Sequence, residues 1–160
     1  MLLQPETDAF NAPAIQANLN TQALGQNLHI LTEVPSTNKI GISLAKLGEP
    51  HGTAIIAEHQ TEGKGRLGRS WVSLPNENIY CSIIIRIPNP QKILSWVPLV
   101  TSLALSKSIQ TNTLVKLSLK WPNDLLVKNK KLGGILCETT SKGNSFDTII
   151  VGFGVNVNSS

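Results

Sequence analysis

The chain has 160 residues, of which 41% are hydrophobic and 15% charged, and its formal net charge is +4. This length and composition favour one folded domain with its own core and argue against an intrinsically disordered chain. The basic excess is too small for a nucleic-acid-binding signature, and no apolar run reaches membrane-spanning length. Because the N-terminus also lacks the features of a signal peptide, we expect a cytoplasmic protein with reduced, buried Cys81 and Cys137.

The first half of the chain is predicted to contain a peripheral polar segment, a strand, a helix, a second strand and a loop. In chain order these cover residues 1–27, 29–34, 36–48, 52–58 and 60–71. Ser36 with Thr37 can cap the helix. Its apolar stripe would consist of Ile40, Leu44 and Leu47.

The second half is predicted to contain a strand, a helix and then four further strands. In chain order these cover residues 78–87, 93–109, 114–121, 125–127, 131–139 and 148–157, with turns at 129–130 and 142–144. Pro98 lies inside the helical pattern, where it would bend or start the helix. Two helices among several strands and hairpins favour an α+β fold with a mixed sheet over a regularly alternating parallel one.

The segment 60–71 reads QTEGKGRLGRSW and combines three glycines with the cations Lys64, Arg66 and Arg69. Glycines let a ligand approach the backbone, and arginine matches phosphate or carboxylate oxygens. By spacing alone, a solvated hairpin tip is an equally good interpretation. Trp71 favours a ligand site, because it offers a large apolar plane on which a base could stack.

The motif KWPND at residues 120–124 places Lys120 at a predicted strand end, where it could hold a carboxylate or phosphate. Asp124 could bind Mg²⁺ or orient a cation. The alternative is a surface lysine beside a turn, with Trp121 in the core. The glycine-interrupted strands KLGGILCE (131–138) and VGFGVNVN (151–158) indicate close approach of a ligand, or of a packed helix.

The histidines show neither catalytic-triad nor metal-ligand spacing, so no metal site is predicted from a protein motif. Cys137 is interpreted as a buried small residue rather than a nucleophile, because no base accompanies it.

Taken in order, STN at 36–38, GKGRLGRSW at 63–71, KWPND, KLGGILCE and GFGVNVN resemble the catalytic domain of biotin protein ligases. The resemblance extends from residue 28 to residue 158. It implies a mixed α+β fold similar to the class II aminoacyl-tRNA synthetase core. It also assigns residues 28–160 to a catalytic domain that lacks the family's C-terminal part, either as a fragment or as a short ligase.

The resemblance also implies roles for individual residues. Those expected to bind biotin are Ser36, Thr37, Asn38, Gln60, Gly63, Lys64, Gly65, Arg66, Lys120 and Gly134, with Ile135 and Leu136 along its tail. Those expected near the nucleotide are Arg69, Trp71 and Asn156. The catalytic candidates are Arg66, Lys120, Asp124 and Lys131. The family commonly has arginine where Lys64 stands. Lysine keeps the positive charge but lacks the planar guanidinium group that can donate two parallel hydrogen bonds.

The implied activity is the activation of biotin with ATP and Mg²⁺ to biotinyl-5′-AMP, followed by transfer to a lysine of the biotin carboxyl carrier protein of acetyl-CoA carboxylase. No nucleic-acid or membrane partner is expected, and a homodimer stays open. The alternatives are a non-catalytic biotin- or nucleotide-binding module and a lipoate or octanoate transferase of the same fold. The transferases use a different glycine-rich signature with an adjacent arginine pair. A nucleic-acid-binding domain is a distant third.

Overall fold

The computed structural model describes residues 10–142 and 145–159, which form one mixed β-sheet with three α-helices. The strands are β1 (Leu28–Val34), β2 (Ala54–Gln60), β3 (Asn78–Arg86), β4 (Ser118–Lys120), β5 (Asp124–Val127), β6 (Lys130–Lys142) and β7 (Ser145–Asn156). The helices are α1 (Ala12–Ala17), α2 (Thr37–Lys46) and α3 (Val97–Asn112). None of the helices in this described part of the chain is long and apolar enough to cross a membrane.

The seven strands are ordered β1-β2-β3-β7-β6-β5-β4. β1 and β2 run parallel, and the other neighbouring pairs run antiparallel. β7 therefore lies between β3 and β6, and its Gly152 is paired with Ser82 on one side and Leu136 on the other. This architecture confirms the predicted α+β fold with a mixed sheet.

The two longer helices cover opposite faces of the sheet, because neighbouring strand residues point to opposite sides. α2 packs on a core that includes Ile55, Ile84 and Ile150. α3 packs on a second core that includes Ile149 and Val151, the residues on either side of Ile150. The face under α2 is the one that carries the candidate site.

Arg86 holds the C-terminal end of α2 in place. Its guanidinium donates to the carbonyl oxygens of Ala45 at 2.7 Å and Glu49 at 2.8 Å, and to Thr148 Oγ1 at 3.1 Å. The last carbonyl groups of a helix have no partner within the helix, so a cation at this end satisfies them. Arg86 thereby connects α2 to β3 and β7.

The structure adds a short helix and refines the two predicted helices. In the described part of the peripheral segment 1–27, a helix covers only Ala12–Ala17. Leu47, predicted on the apolar stripe of α2, caps that helix and is 82% exposed, whereas Ile40 and Leu44 pack on the core as expected. The helix predicted over 93–109 begins at Val97 with a proline in its first turn, so Pro98 starts the helix instead of bending it.

The predicted strand boundaries also shift. The strand expected over 114–121 is confined to Ser118–Lys120, and Leu114 is fully exposed ahead of it. The turn expected at 129–130 lies at Lys128 and Asn129, both of which have positive φ. Within the turn predicted at 142–144, residues 143–144 lie outside the described residues.

Candidate active site

A cavity of about 450 Å³ opens over the α2 face of the sheet. The N-terminus of α2, the loop after β2, the KWPND segment, β6 and β7 form its walls. Its lining consists of Ser36, Thr37, Asn38, Gln60, Lys64, Gly65, Arg66, Leu67, Arg69, Ser70, Trp71, Lys120, Trp121, Pro122, Asn123, Asp124, Lys131, Gly134, Ile135, Leu136, Gly152, Phe153 and Gly154.

The side chains that line the α2 end of the cavity are uncharged and rich in hydrogen-bonding groups. Ser36 is the N-cap residue of α2, as predicted, but its side chain makes no capping hydrogen bond; it lines the cavity. The Thr37 backbone N–H donates to Gln60 Oε1 at 2.9 Å, and Gln60 Nε2 donates to Ser73 Oγ at 3.2 Å. These two bonds orient the Gln60 amide so that its oxygen faces α2 and its NH₂ group faces Ser73.

Glycines on β6 and β7 form the floor of the cavity. A Cβ atom at Gly152 would lie 2.0 Å from Asn38 Oδ1, and one at Gly154 would lie 2.6 Å from the Trp71 ring. Gly134 is paired with Gly154 across the strands, and its Cβ would lie 3.2 Å from the same ring. The glycines that the sequence marked as points of close approach therefore make room for Asn38 and Trp71.

The loop 60–71 brings its cations to the cavity. Its base is closed by a bond of 2.9 Å from the Trp71 N–H to the Gly63 carbonyl, and its tip by one of 2.7 Å from the Gly65 N–H to the Arg69 carbonyl. A short 3₁₀ turn, Arg66–Gly68, forms the tip. This loop is a hairpin, which agrees with the interpretation as a hairpin tip. Its cations Lys64, Arg66 and Arg69 nevertheless all line the cavity, as expected of a ligand-binding loop.

The base of the loop is also attached to α2. Lys39 on α2 forms an ion pair with Glu62, and this hydrogen bond and charge lower the pKa of the Glu62 carboxyl. The pair is exposed to solvent, so it orients the loop more than it stabilises the fold.

The KWPND segment forms the wall opposite α2. Arg66 Nη1 donates to Asn123 Oδ1 at 3.1 Å, and Asn123 Nδ2 donates to the Ile135 carbonyl at 3.1 Å, so this amide connects the loop to β6. Lys120 ends β4 and lines the cavity, as predicted. Trp121 is 79% exposed and also lines the cavity, so the alternative that placed it in the core is wrong.

Lys131 and Asp124 form an ion pair inside the cavity. Lys131 Nζ lies 2.9 Å from Asp124 Oδ1 and 5.3 Å from the centre of the Trp71 ring. The ring face attracts the ammonium group. A cation of the cavity lining is therefore held between a carboxylate and an aromatic ring.

A second cavity of about 330 Å³ lies on the other side of Trp71 and Lys131, which line both cavities. It is lined by Ser70, Trp71, Val72, Leu74, Asn78, Lys131, Asn156 and Ser159. The Asn156 amide donates to the Lys131 carbonyl at 3.4 Å. The Trp71 ring is thus a wall shared by two adjacent spaces.

The structure brings most of the predicted site residues together. Of the residues assigned to biotin, nucleotide or catalysis, Gly63 and Asn156 lie outside the first cavity: Gly63 closes the loop, and Asn156 lines the second. Sequence reasoning assigned no role to Asn123, Ser82 or Glu138. Asn123 lay within a motif already singled out, whereas Ser82 carried no local signal because its neighbours come from α2 and β7.

The structure supports no nucleophilic or metal role for the cysteines. Burial raises the pKa of the Cys137 thiol to about 12, although the Arg66 charge opposes the shift. Such a thiol stays protonated and unreactive at neutral pH. Within residues 10–142 and 145–159, no three His, Cys, Asp or Glu side chains are grouped so that they could hold a metal ion.

The chain belongs to the Biotin/lipoate A/B protein ligase family, whose model matches residues 31–156. It is 34% identical to the bifunctional ligase/repressor BirA of Bacillus spizizenii over 144 residues, which are 90% of this chain and 44% of that protein. It is 32% identical to the biotin--[acetyl-CoA-carboxylase] ligase of Mycobacterium tuberculosis in an alignment 162 positions long, which covers 95% of this chain and 59% of that protein.

The fold is likewise similar to that of solved ligases. The biotin protein ligase from Aquifex aeolicus in complex with biotin and ATP superposes with a TM-score of 0.70 at 40% identity, covering 84% of this chain and 53% of that one. The chain thus spans roughly half the length of these relatives, between 44% and 59%.

Proposed function

We propose that this chain activates biotin with ATP to biotinyl-5′-AMP and takes part in transferring biotin to a lysine of a carrier protein. The observation that carries the proposal is the division of the first cavity into two chemically different ends. Neutral amide and hydroxyl groups lie at the α2 end, and cations lie at the loop end. The cations are Lys64, Arg66, Arg69, Lys120 and Lys131.

The α2 end suits a small polar ring. Biotin's ureido group needs donors for its carbonyl oxygen and acceptors for its N–H groups. Ser36, Thr37, Asn38 and Gln60 supply both kinds of group. Leu136 supplies apolar surface for the rest of the molecule. A ligand lying over the glycine floor would direct its carboxylate towards Lys131 and Arg66.

The loop end suits the first chemical step. A biotin carboxylate oxygen attacks the α-phosphorus of ATP, forming the acyl phosphate bond while the bond to pyrophosphate breaks. Both reactants are anions, so Lys131 and Arg66 would offset their repulsion and stabilise charge on the phosphoryl oxygens. The second cavity, with Trp71 as one wall and Asn156 on another, would hold the adenosine part.

Mg²⁺ fits this site as a companion of the triphosphate. Asp124, whose Oδ1 also pairs with Lys131 at 2.9 Å, would supply a carboxylate among the residues lining the first cavity. One carboxylate is enough, because Mg²⁺ bound with nucleotides takes much of its coordination from phosphates and water. The ion would neutralise phosphate charge.

The second step would use the same cavity. The lysine amine of the carrier attacks the acyl carbon of biotinyl-5′-AMP, the bond to the phosphate breaks, and AMP leaves with the electron pair while the amine loses a proton. Water would hydrolyse the same anhydride, so the loop 60–71 has a protective purpose if it closes over the intermediate. Lys64 stands where the family commonly has arginine, and this difference would affect how tightly the adenylate is held.

The remaining assignments follow from the family and the relatives' names. Residues 28–160 would be the catalytic domain, with the biotin carboxyl carrier protein of acetyl-CoA carboxylase as the macromolecular partner. The proposal includes no nucleic-acid or membrane partner and leaves a homodimer open. We expect the protein in the cytoplasm, where the free thiols of Cys81 and Cys137 would stay reduced.

The test is ATP–pyrophosphate exchange with this chain, with biotin, lipoic acid or no acid added. Exchange should require biotin. Lys131→Met should lower it by about 100-fold or more, and Arg66→Ala by at least about tenfold, because each removes a cation that stabilises phosphoryl charge. Lys107→Ala is the matched control, because Lys107 is an exposed cation on α3, away from the cavity.

Each outcome has a distinct meaning. Biotin binding in calorimetry without exchange would identify a non-catalytic binding module. Exchange supported by lipoic acid instead would identify the other branch of the family. Neither binding nor exchange with any of these acids would overturn the proposal.

A further inference from the structure

Asn38, at the N-terminus of α2, is 4% exposed, and its side chain has hydrogen-bond partners on three sides. Its Nδ2 atom donates to Glu138 Oε2 at 2.6 Å and to the Leu136 carbonyl at 3.2 Å. Its Oδ1 atom lies 2.6 Å from the hydroxyl of Ser82. Both Nδ2 hydrogens therefore have acceptors, and one lone pair of Oδ1 already has a donor.

These partners determine which way the Asn38 amide points. A carboxylate oxygen and a backbone carbonyl can only accept, so both require the NH₂ group on their side. Ser82 Oγ also lies 2.8 Å from Thr37 Oγ1. One hydroxyl proton cannot serve two oxygens, and the amide oxygen can only accept. The Ser82 proton therefore goes to Asn38, and the Thr37 hydroxyl proton is left for Ser82 Oγ or for Gln60 Oε1, which lies 3.2 Å from Thr37 Oγ1.

We infer that Glu138 and Ser82 are positioning residues that make Asn38 an acceptor for an N–H group of the ligand. With both hydrogens engaged, the second lone pair of Oδ1 is what Asn38 can offer to the cavity it lines. Gly152 makes this position available, because a side chain there would overlap Oδ1. The inference rests on the proposed function in one respect, namely that the N–H belongs to biotin's ureido ring.

The energetic argument concerns the wrong orientation of the amide. If Asn38 were flipped, its oxygen would face the Glu138 carboxylate and its NH₂ group would face a ligand N–H. Both contacts would be repulsive. A charge-assisted hydrogen bond at 2.6 Å is among the stronger polar contacts in proteins, and it is lost in the flipped state. Glu138 thus acts on ligand choice through Asn38.

The first test is Glu138→Gln, which keeps size and shape but can donate as well as accept. We expect the biotin dissociation constant, measured by calorimetry, to rise about tenfold or more, as for loss of a well-placed hydrogen bond. The KM for ATP should stay the same. Ser82→Ala should also raise the biotin dissociation constant. When Asn38 is already replaced by alanine, either change should raise the constant by less than it does in the wild type.

The chain offers a closely matched control. Glu49 accepts a hydrogen bond from the Asn27 side-chain amide, as Glu138 does from Asn38, but it lies beyond the C-terminal end of α2. Glu49→Gln should leave biotin affinity unchanged. The double variant Asn38→Asp with Glu138→Gln reverses the donor and acceptor while keeping an oxygen for the ligand, so it should recover affinity relative to Asn38→Asp alone.

A readout without ligand separates this inference from the proposed function. The side-chain amide signals of Asn38 in a ¹H–¹⁵N spectrum, identified by their loss in Asn38→Ala, should shift in Glu138→Gln and Ser82→Ala. Unshifted signals would overturn the inference, whatever the chain binds. Equal biotin affinity of wild type and Glu138→Gln would overturn it too. A wild type that does not bind biotin would instead overturn the proposed function, and the amide signals would still decide the positioning role.

Discussion

The Trp71 ring lies so close to Gly154 that a Cβ atom added at this glycine would be 2.6 Å from the ring. Because Gly154 is paired on both sides in the middle of the sheet, its backbone has little freedom to retreat. The position of Trp71, and hence of the wall between the two cavities, therefore depends on the absence of a side chain at residue 154.

Gly154→Ala is expected to displace Trp71 and to weaken ligand binding about tenfold or more, with the fold retained. The measurement is the indole N–H signal of Trp71, identified with Trp71→Phe, together with biotin and ATP affinities. Gly65→Ala is the control for the signal, because its added Cβ would find no other atom closer than 3.5 Å. An unmoved Trp71 signal in Gly154→Ala would refute the prediction.

Arg86→Met is expected to destabilise the chain by about 2–3 kcal/mol, because it removes charged hydrogen bonds to the carbonyl groups at the end of α2. Urea unfolding should show a lower midpoint with an unchanged slope. Lys46→Ala, an exposed cation in the last turn of the same helix, should change stability little. Similar midpoints for both variants would show that Arg86 has no capping role.

The cysteines should make stability fall at alkaline pH. Burial raises the pKa of the Cys81 and Cys137 thiols to about 12, whereas an unfolded thiol titrates near about 8.5. Between these values the folded chain holds the protons and the unfolded chain releases them. The free energy of unfolding should therefore drop by up to about 1.4 kcal/mol per pH unit for each thiol.

Alkylation offers a direct check of the thiols. Iodoacetamide at about pH 8 should label neither cysteine in the folded chain and both in urea, since the thiolate is the reactive form. Cys81→Ala should flatten the decline in stability above about pH 8.5. Cys81 is buried as predicted, whereas Cys137 is only partly buried. Rapid labelling of the folded chain would contradict the protonated state of both thiols.

Local patterns in the sequence were sufficient for most of the sheet and for α2 and α3, because alternation and helical spacing reflect which side of an element is buried. They failed where apolar residues remain exposed, as at Leu47 and Leu114. A prediction from spacing treats every apolar residue of the pattern as buried. Among the residues that the structure describes, Leu47 at the end of α2 and Leu114 ahead of the edge strand β4 have no neighbouring element that covers them.

The site was predictable in part for a similar reason. Glycine-rich and basic motifs are contiguous in sequence, so the cavity walls at the loop and at KWPND could be named in advance. The hydrogen bonds around Asn38 join residues up to 100 positions apart, and they exist only in the register of β3, β7 and β6. Ser82 and Glu138 therefore look like ordinary strand residues until the sheet is assembled.

The position of β7 has a consequence for folding. The last strand of the described chain fills the gap between β3 and β6, so until it inserts, the edges of both strands have unpaired N–H and C=O groups. Such edges can pair with other chains, which makes a half-assembled sheet prone to aggregation. The insertion of β7 also completes the cavity floor, so a ligand of this cavity would bind only molecules in which β7 is in place. Binding would therefore lower the population of half-assembled molecules that can aggregate.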